Sequence, residues 1–176
     1  MLVLELVTVV LVLQRASELV LARRNAKRAF ERGGVEFGAS HYPFVVVLHA
    51  AWFIAFNAES IMRSSNHSTV ELQPLWTLWA SVFVAAQFLR YWSISSLGDA
   101  WNTRIIVVPG SVLVRRGPYT FLPHPNYVAV MLEFISVPLL VGAPVTALIG
   151  TVVNGAMLWF VRLPAERAAL KLLKHE

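Results

Sequence analysis

The residues best suited to chemistry lie in one run, Arg115-Arg116-Gly117-Pro118-Tyr119-Thr120-Phe121-Leu122-Pro123-His124-Pro125-Asn126-Tyr127. Cations, aromatics, a histidine and helix-starting prolines meet there, at the edge of a long apolar segment. Such a mixture can hold a charged small molecule against lipid. Pro125 suits the first turn of a helix, where its missing N–H breaks no bond. His124 then sits at the helix N-terminus, beside free N–H groups and the positive end of the dipole, an environment that favours an anion such as a carboxylate. Tyr127 follows three residues later and shares that face. The same His and Tyr would equally serve as interfacial residues at headgroup depth.

The last apolar segment closes with Trp159-Phe160-Val161-Arg162-Leu163-Pro164-Ala165-Glu166-Arg167. Pro164 predicts the start of a new helix, with Glu166 in its first turn, where acidic residues are favoured. Arg167, Lys171 and Lys174 fall on one face, with Leu170, Leu172 and Leu173 at apolar positions, the pattern of an interfacial amphipathic helix. Arg162 and Glu166 are either a surface pair worth under ~1 kcal/mol or, if the chain folds them onto the His124 loop, part of a site.

Two more polar residues, Glu133 and Asn154, lie deep in apolar sequence. An ionisable group inside a membrane is costly and faces a cavity or a partner. Glu133 lies about six residues beyond Tyr127, and Asn154 about eight before Arg162, so the two are expected to meet at similar depth. They would then form a functional pair or an interhelical hydrogen bond. Arg15 and Glu18 read as snorkelling or locally paired. His49 reads as a packed polar residue, and the histidines show no metal-ligand spacing, so no metal site is expected.

The elements that must position these residues follow from composition. The chain has 176 residues, 57% hydrophobic and 14% charged, with a mean hydropathy of +0.61. Soluble domains carry about 25% charged residues. This much apolar surface belongs in lipid, and the length suits a single membrane-embedded domain, 1–176. With no cysteines, disulfides, a thiolate nucleophile and cysteine metal sites are excluded. Apolar segments at Met1 to about Leu21, Pro43–Met62 and Pro74–Trp92 each approach the ~20 residues that cross a bilayer. Tyr127–Phe160 is almost continuously apolar and is broken by Gly142-Ala143-Pro144, which predicts a hairpin of two shorter spans, 126–141 and 144–161. The expected fold is all-α, with five membrane spans. No positive n-region or small-residue cleavage site marks a removable signal peptide.

Charge orients the bundle. Arg23, Arg24, Lys27, Arg28 and Arg32 follow the first span; Arg104, Arg115 and Arg116 separate the third from the fourth; and Arg162, Arg167, Lys171 and Lys174 follow the fifth. Lys and Arg favour cytoplasmic loops, which puts the N-terminus outside and the C-terminus inside. The net charge of +5 then reflects topology and anionic lipid, not nucleic acid. Between Ser93 and Pro125, Arg104–Val108 and Ser111–Val114 flank Pro109-Gly110, a strand–turn–strand pattern or a loop on the membrane surface.

The run Gly117-Pro118-Tyr119…His124-Pro125-Asn126-Tyr127, the hydrophobic hairpin and Arg162-Leu163-x-x-Glu166 together resemble the isoprenylcysteine carboxyl methyltransferase family. The N-terminal Arg24-Asn25…Gly33-Gly34-Val35-Glu36-Phe37-Gly38…His41-Tyr42-Pro43 looks like a bacterial branch associated with type III polyketide synthases and O-methylation of alkylpyrones. The resemblance implies an integral membrane enzyme using S-adenosylmethionine in the bacterial cytoplasmic membrane, with a polyketide synthase as a pathway neighbour. It implies that His124 and Tyr127 hold the carboxylate end of the cofactor and Glu166 its ammonium, while Arg116, Gly117, Pro118, Tyr119 and Pro125 belong to the loop around the nucleotide. It implies Arg162 as the residue that positions the acceptor oxygen, with Glu133 or Asn154 orienting or deprotonating an enol. The acceptor is then a long-chain polyketide enol or an isoprenylcysteine-type carboxylate, entering from the membrane lipid. Pro123 stands where the family commonly has Arg or Lys, and Arg167 where it has a second acidic residue; Arg115 or Arg116 can replace the missing cation. The rival readings are an NADPH-dependent reductase of sterol-like lipids, and a small transporter or assembly factor with no catalysis.

Overall fold

The computed structural model describes residues 2–65 and 75–174. Helix α1 runs Leu2–Glu31, strand β1 Val35–Phe37, α2 Tyr42–Ser65, α3 Trp76–Leu97, β2 Ile105–Val107, α4 Pro125–Leu140, α5 Pro144–Met157 and α6 Leu163–Leu170. Every predicted span coincides with a helix; Met1 and Pro74, the expected first residues of two of them, lie outside the described residues.

The polarity of the bundle is that of a protein in lipid. Leu2, Leu6, Leu13, Val20, Ile54, Phe88, Leu148 and Val152 point outward, whereas Gln14, Glu18, Asn25, Arg90, Glu133 and Asn154 are buried. Water would reverse that arrangement. Helices Tyr42–Ser64 and Pro144–Leu170 are long and apolar enough to cross a membrane, and Pro125–Leu140 is a shorter apolar helix. The chain is an all-α membrane protein with one small ribbon.

Helix α1 shows how the interior is built. Its buried residues are Leu4, Val7, Leu11, Gln14, Glu18, Ala22, Asn25 and Ala29, spaced by threes and fours along one stripe. The N-terminal part of the stripe is apolar and packs with Trp52, Phe56, Val130, Phe134 and Val137. Its C-terminal part carries Gln14, Glu18 and Asn25. Asn25 donates to the carbonyls of Gly98 and Trp101 at 3.1 and 2.8 Å, tying the end of α1 to the chain leaving α3.

In the apolar core, Trp52 stacks on Phe134, with centroids 4.5 Å apart. Pro138 has no N–H to give the Phe134 carbonyl one turn earlier. Trp52 Nε1 takes that carbonyl instead, at 3.3 Å. A Cβ on Gly150 would lie 2.7 Å from Trp52 Cδ1, so only glycine lets α5 approach here. The hairpin between α4 and α5 closes as expected, with Gly142 at φ +81°. Glu59 of α2 caps it, accepting from the Val145 and Thr146 amides at 3.1 and 2.8 Å.

Two expectations are corrected. The 104–108 and 111–114 segments do not pair with each other. Ser111 donates to Val108 at 3.1 Å across a turn with Pro109 and Gly110 at its centre, and Gly110 sits at φ +78°. That is type II geometry, which splays flanking strands instead of closing them. β2 therefore pairs antiparallel with β1, Val35 opposite Val107 and Phe37 opposite Ile105. Val112 bridges to Lys174 at the far end of the chain. The second correction is at Pro164, which lies in the first turn of α6 without a break from α5. A π turn, Leu158–Arg162, carries α5 into α6, and the Leu163 amide reaches back to Leu158. The wider turn absorbs the carbonyl that Pro164 cannot satisfy.

Candidate functional site

Gly117–Thr120 forms a short 3-10 turn lying against the end of α3. Gly117 has φ +59°, and a Cβ there would fall 2.1 Å from Ser96 Oγ. Arg116 anchors the same turn, its Nε donating to the Ser96 carbonyl at 2.7 Å. Pro118 is fully buried. Gly117 and Pro118 thus shape the loop from behind, whereas Arg116 and Tyr119 face the cavity described below. Gly117→Ala combines a left-handed dihedral that alanine rarely adopts with a collision. It is expected to introduce about 1–3 kcal/mol of local strain, read as a lowered unfolding temperature in detergent. An unchanged temperature would show that the turn tolerates a side chain.

Pro125 is buried at the first position of α4, and His124 precedes it as the N-cap residue, at φ −135° and ψ 62°. The carbonyl of His124 accepts from Tyr127 and Val128 at 3.0 and 3.3 Å, starting the helix. The His124 and Tyr127 rings stack, with centroids 5.4 Å apart and planes 15° apart, as the three-residue spacing predicts. Across from them, α6 presents Glu166: its Oε1 lies 3.4 Å from His124 Nδ1. Glu166 Oε2 is buried without a hydrogen-bond partner, as is Asn126 Oδ1.

Arg162, at the end of the π turn, is 7% exposed. Its Nη2 donates to the Thr103 carbonyl at 3.1 Å, and the Tyr127 phenol lies beside both Arg162 and Glu166. The π turn and α6 therefore carry Arg162 and Glu166 onto the His124 loop, out of the surface pairing that spacing also allowed. Burial, and then the Glu166 carboxylate, push the Tyr119 phenol well above its ordinary pKa, so it remains a neutral hydroxyl. Burial and the Arg162 guanidinium hold His41 below its ordinary value, in its neutral form.

Arg116, Tyr119, His124, Asn126, Tyr127, Arg162 and Glu166 line one end of a cavity of about 1180 Å³. Ordinary ligand sites occupy about 300–1,000 Å³, so this space can take two ligands side by side. Its other end runs between α1 and α2, along Leu11, Val12, Val45, Val46, Phe53 and Ile54. Val12, Val46 and Ile54 are also exposed at the outer surface, so this arm of the cavity is walled by residues that face lipid.

The deep polar residues fall differently from expectation. Glu133 and Asn154 do not meet. Asn154 donates to Met131 Sδ at 3.3 Å and reaches the cavity wall. Glu133 is fully buried behind the wall, held by Arg90 (Nε to Oε1 2.9 Å, Nη2 to Oε2 2.5 Å), by Gln87 at 2.6 Å and by Arg15. Both of its oxygens are occupied by cationic or amide donors, which places Glu133 as the counter-ion of Arg90 and Arg15. The reason is angular: helix α4 turns Glu133 toward α1 and α3, and Asn154 on α5 faces elsewhere. Arg15 pairs locally with Glu18 at 2.7 Å as expected, but also crosses to Glu133. Sequence reasoning missed Arg90. Its signal was available, since a lone arginine inside a predicted span calls for an acidic partner at the same depth.

The isoprenylcysteine carboxyl methyltransferase (ICMT) family matches residues 79–172. That stretch contains the Gly117 turn, His124, Tyr127, Arg162 and Glu166. An uncharacterized protein of Bacillus subtilis (strain 168), YpbQ, is 40% identical over 166 residues, covering 94% of this chain and 95% of its own length. An uncharacterized protein of Haemophilus influenzae is 22% identical over 160 residues, 90% of each chain. No solved structure gives a significant match. The family match takes in more than half of the residues, including both halves of the site, and the chain belongs to the isoprenylcysteine carboxyl methyltransferase family.

Proposed function

We propose that this protein is an S-adenosylmethionine-dependent O-methyltransferase acting on a lipophilic acceptor at the membrane. The observation that carries the reading is the buried, unpartnered Oε2 of Glu166 beside His124 and Tyr127, at the polar end of a cavity whose other arm is apolar. An unmatched carboxylate oxygen in that position calls for a cation. The ammonium of the cofactor meets that demand. His124 and Tyr127 receive the carboxylate end, and Arg116, Tyr119 and Asn126 line the space left for the nucleoside. Bound there, S-adenosylmethionine supplies an electrophilic methyl group on a sulfonium.

The chain's own residues supply placement. Arg162, fixed by the Thr103 carbonyl, keeps further N–H groups for the acceptor oxygen and favours its ionised form. Orientation of two reactants in one cavity is worth up to about 7–11 kcal/mol of barrier. Asn154 and Met157 also line the cavity. The exposed apolar residues of α1 and α2 that line the cavity support entry of the acceptor from the bilayer, across a bundle of five crossing helices. Positive residues clustered at one end of those helices support a cytoplasmic cofactor side and an outside N-terminus, in a bacterial cytoplasmic membrane. Between the two acceptor classes, the N-terminal motif favours a long-chain polyketide enol over a prenylcysteine carboxylate, with a polyketide synthase upstream.

Calorimetric titration of S-adenosylmethionine into the detergent-purified protein tests this, with His124→Ala as control. Saturable binding that the substitution abolishes is the expected result. A folded wild-type protein that fails to bind the cofactor would overturn the reading, and NADPH titrated in its place would then test the reductase alternative.

A further inference from the structure

The apolar arm of the cavity contains one polar spot that the methyl-transfer reading does not use. Arg15, Glu18 and His49 line the arm where α1 faces α2. Arg90, which also lines the cavity, and Glu133 behind it complete an ionic cluster. Its charges cancel: two arginines, Arg15 and Arg90, against two glutamates, Glu18 and Glu133. The members are not equally enclosed. Arg90, Glu18 and Glu133 side chains are 2%, 5% and 0% exposed, whereas Arg15 keeps 30%. Each Arg15 terminal nitrogen spends one N–H on a carboxylate, so donors remain on its open side.

His49 supplies the complementary group. Its Nδ1 lies 2.9 Å from the Val45 carbonyl. A carbonyl only accepts, so in the neutral ring the proton sits on Nδ1 and Nε2 is left as an acceptor. Nε2 makes no hydrogen bond among the described residues and is not sealed from the solvent-accessible space. Arg15, Arg90 and Glu133 all lie within electrostatic reach of this ring, and Phe134 holds it edge-on at 5.0 Å. An open donor and an open acceptor therefore share one stretch of wall in a compartment otherwise shaped for hydrocarbon. A plain alkyl or prenyl chain lying there would leave both unmatched.

We propose that Arg15 and His49 recognise an uncharged hydroxyl on the acceptor, distinct from the oxygen that is methylated. A hydroxyl accepts from the guanidinium and donates to Nε2 at once. A carboxylate offers His49 no proton and meets Glu18 and Glu133 across the cluster, and an ammonium gains nothing from Arg15. Glu133 follows Tyr127 by six positions on α4, about 9 Å at 1.5 Å per residue, so this spot lies a short way inward from the cofactor end. The acceptor is thus a lipid whose compact head carries two oxygen functions, only one of which is methylated. This inference rests on the methyltransferase reading for the name of the ligand, and on the cavity wall for its chemistry.

Two probes that differ by one hydroxyl test it: 3-pentadecylphenol and 5-pentadecylresorcinol, titrated into the full-length protein in detergent. Trp52 and Trp101 line the cavity and report binding by their fluorescence. The resorcinol is expected to bind about tenfold tighter to the wild type. His49→Leu should bring the two affinities together, while His49→Gln, which restores an acceptor, should recover most of the difference. Equal affinities in the wild type, absence of binding by either probe, or a preference that survives His49→Leu would each overturn the proposal. Should the leucine variant not fold, loss or retention of the preference in His49→Phe, which keeps the ring packed on Phe134, decides the same question. S-adenosylmethionine binding measured on the same samples separates the two claims: a hydroxyl preference without cofactor binding refutes only the methyltransferase reading, and cofactor binding without the preference refutes only this one.

Discussion

Glu133→Ala is expected to destabilise the detergent-solubilised protein by about 3–5 kcal/mol, the penalty for leaving buried charge without its counter-ion. The arithmetic follows from the cluster. Arg90 spends its Nε and one terminal nitrogen on Glu133, and Arg15 a terminal nitrogen on the same carboxylate. Removing the carboxylate leaves two guanidiniums sharing Glu18 alone, one of them with only 2% of its side chain exposed. For a chain of this size the loss corresponds to roughly 6–20 °C in unfolding temperature. Glu133→Gln keeps an acceptor for Arg90 and loses only the charge, so it should fall between. A Glu133→Ala protein that unfolds at the wild-type temperature would show that water or lipid headgroups reach the arginines. The same variant separates structure from chemistry. Because Glu133 lies behind the cavity wall, whatever fraction remains folded should keep its cofactor affinity.

The second large effect is on the ligand. Under the methyltransferase reading, Glu166→Gln should weaken S-adenosylmethionine by about 2 kcal/mol or more, some thirtyfold, because a buried charged pair loses one partner. Glutamine keeps the shape of the side chain, so the unfolding temperature of the free protein should change little. That combination, lost affinity with retained fold, is what a binding residue produces and a structural one does not. Calorimetry on the variant reads it directly. Undiminished affinity would remove Glu166 from the cofactor site and return it to pairing with His124 alone. Arg167, the neighbour that departs from the family pattern, is exposed, so its substitution should leave affinity unchanged.

The two effects differ in how far the sequence anticipated them. His124, Tyr127, Arg162 and Glu166 were legible because each sits at a local signal. Pro125 marks a helix start, three residues set the His124–Tyr127 face, and Pro164 marks a discontinuity after Arg162. The structure supplies a π turn that joins α5 to α6 without a break, and the turn is what brings α6 over the loop. Glu133 was legible as a residue needing a partner but not as belonging to Arg90. Counting residues along α4 and α5 gives depth, whereas a partner depends on azimuth. Azimuth is set by how five helices rotate against each other.

The ribbon teaches the same lesson. Ile105–Val107 was identifiable as a strand, since branched apolar residues before Pro-Gly carry that signal locally. Its partner was not, because the splayed turn at Pro109-Gly110 freed it to pair with Val35–Phe37, which lies some seventy positions earlier in the chain. By itself, then, the sequence determined the solvent, the helices, the hairpin and the residues at helix ends. Each of these is written in composition or in neighbours a few positions apart. Only the tertiary structure decided that Arg15, Gln87, Arg90 and Glu133 form one cluster, that Asn154 stands apart from it, and that an apolar arm with a single polar spot extends the site. Those are relations between segments far apart in the chain, and no local periodicity encodes the rotation and approach of packed helices.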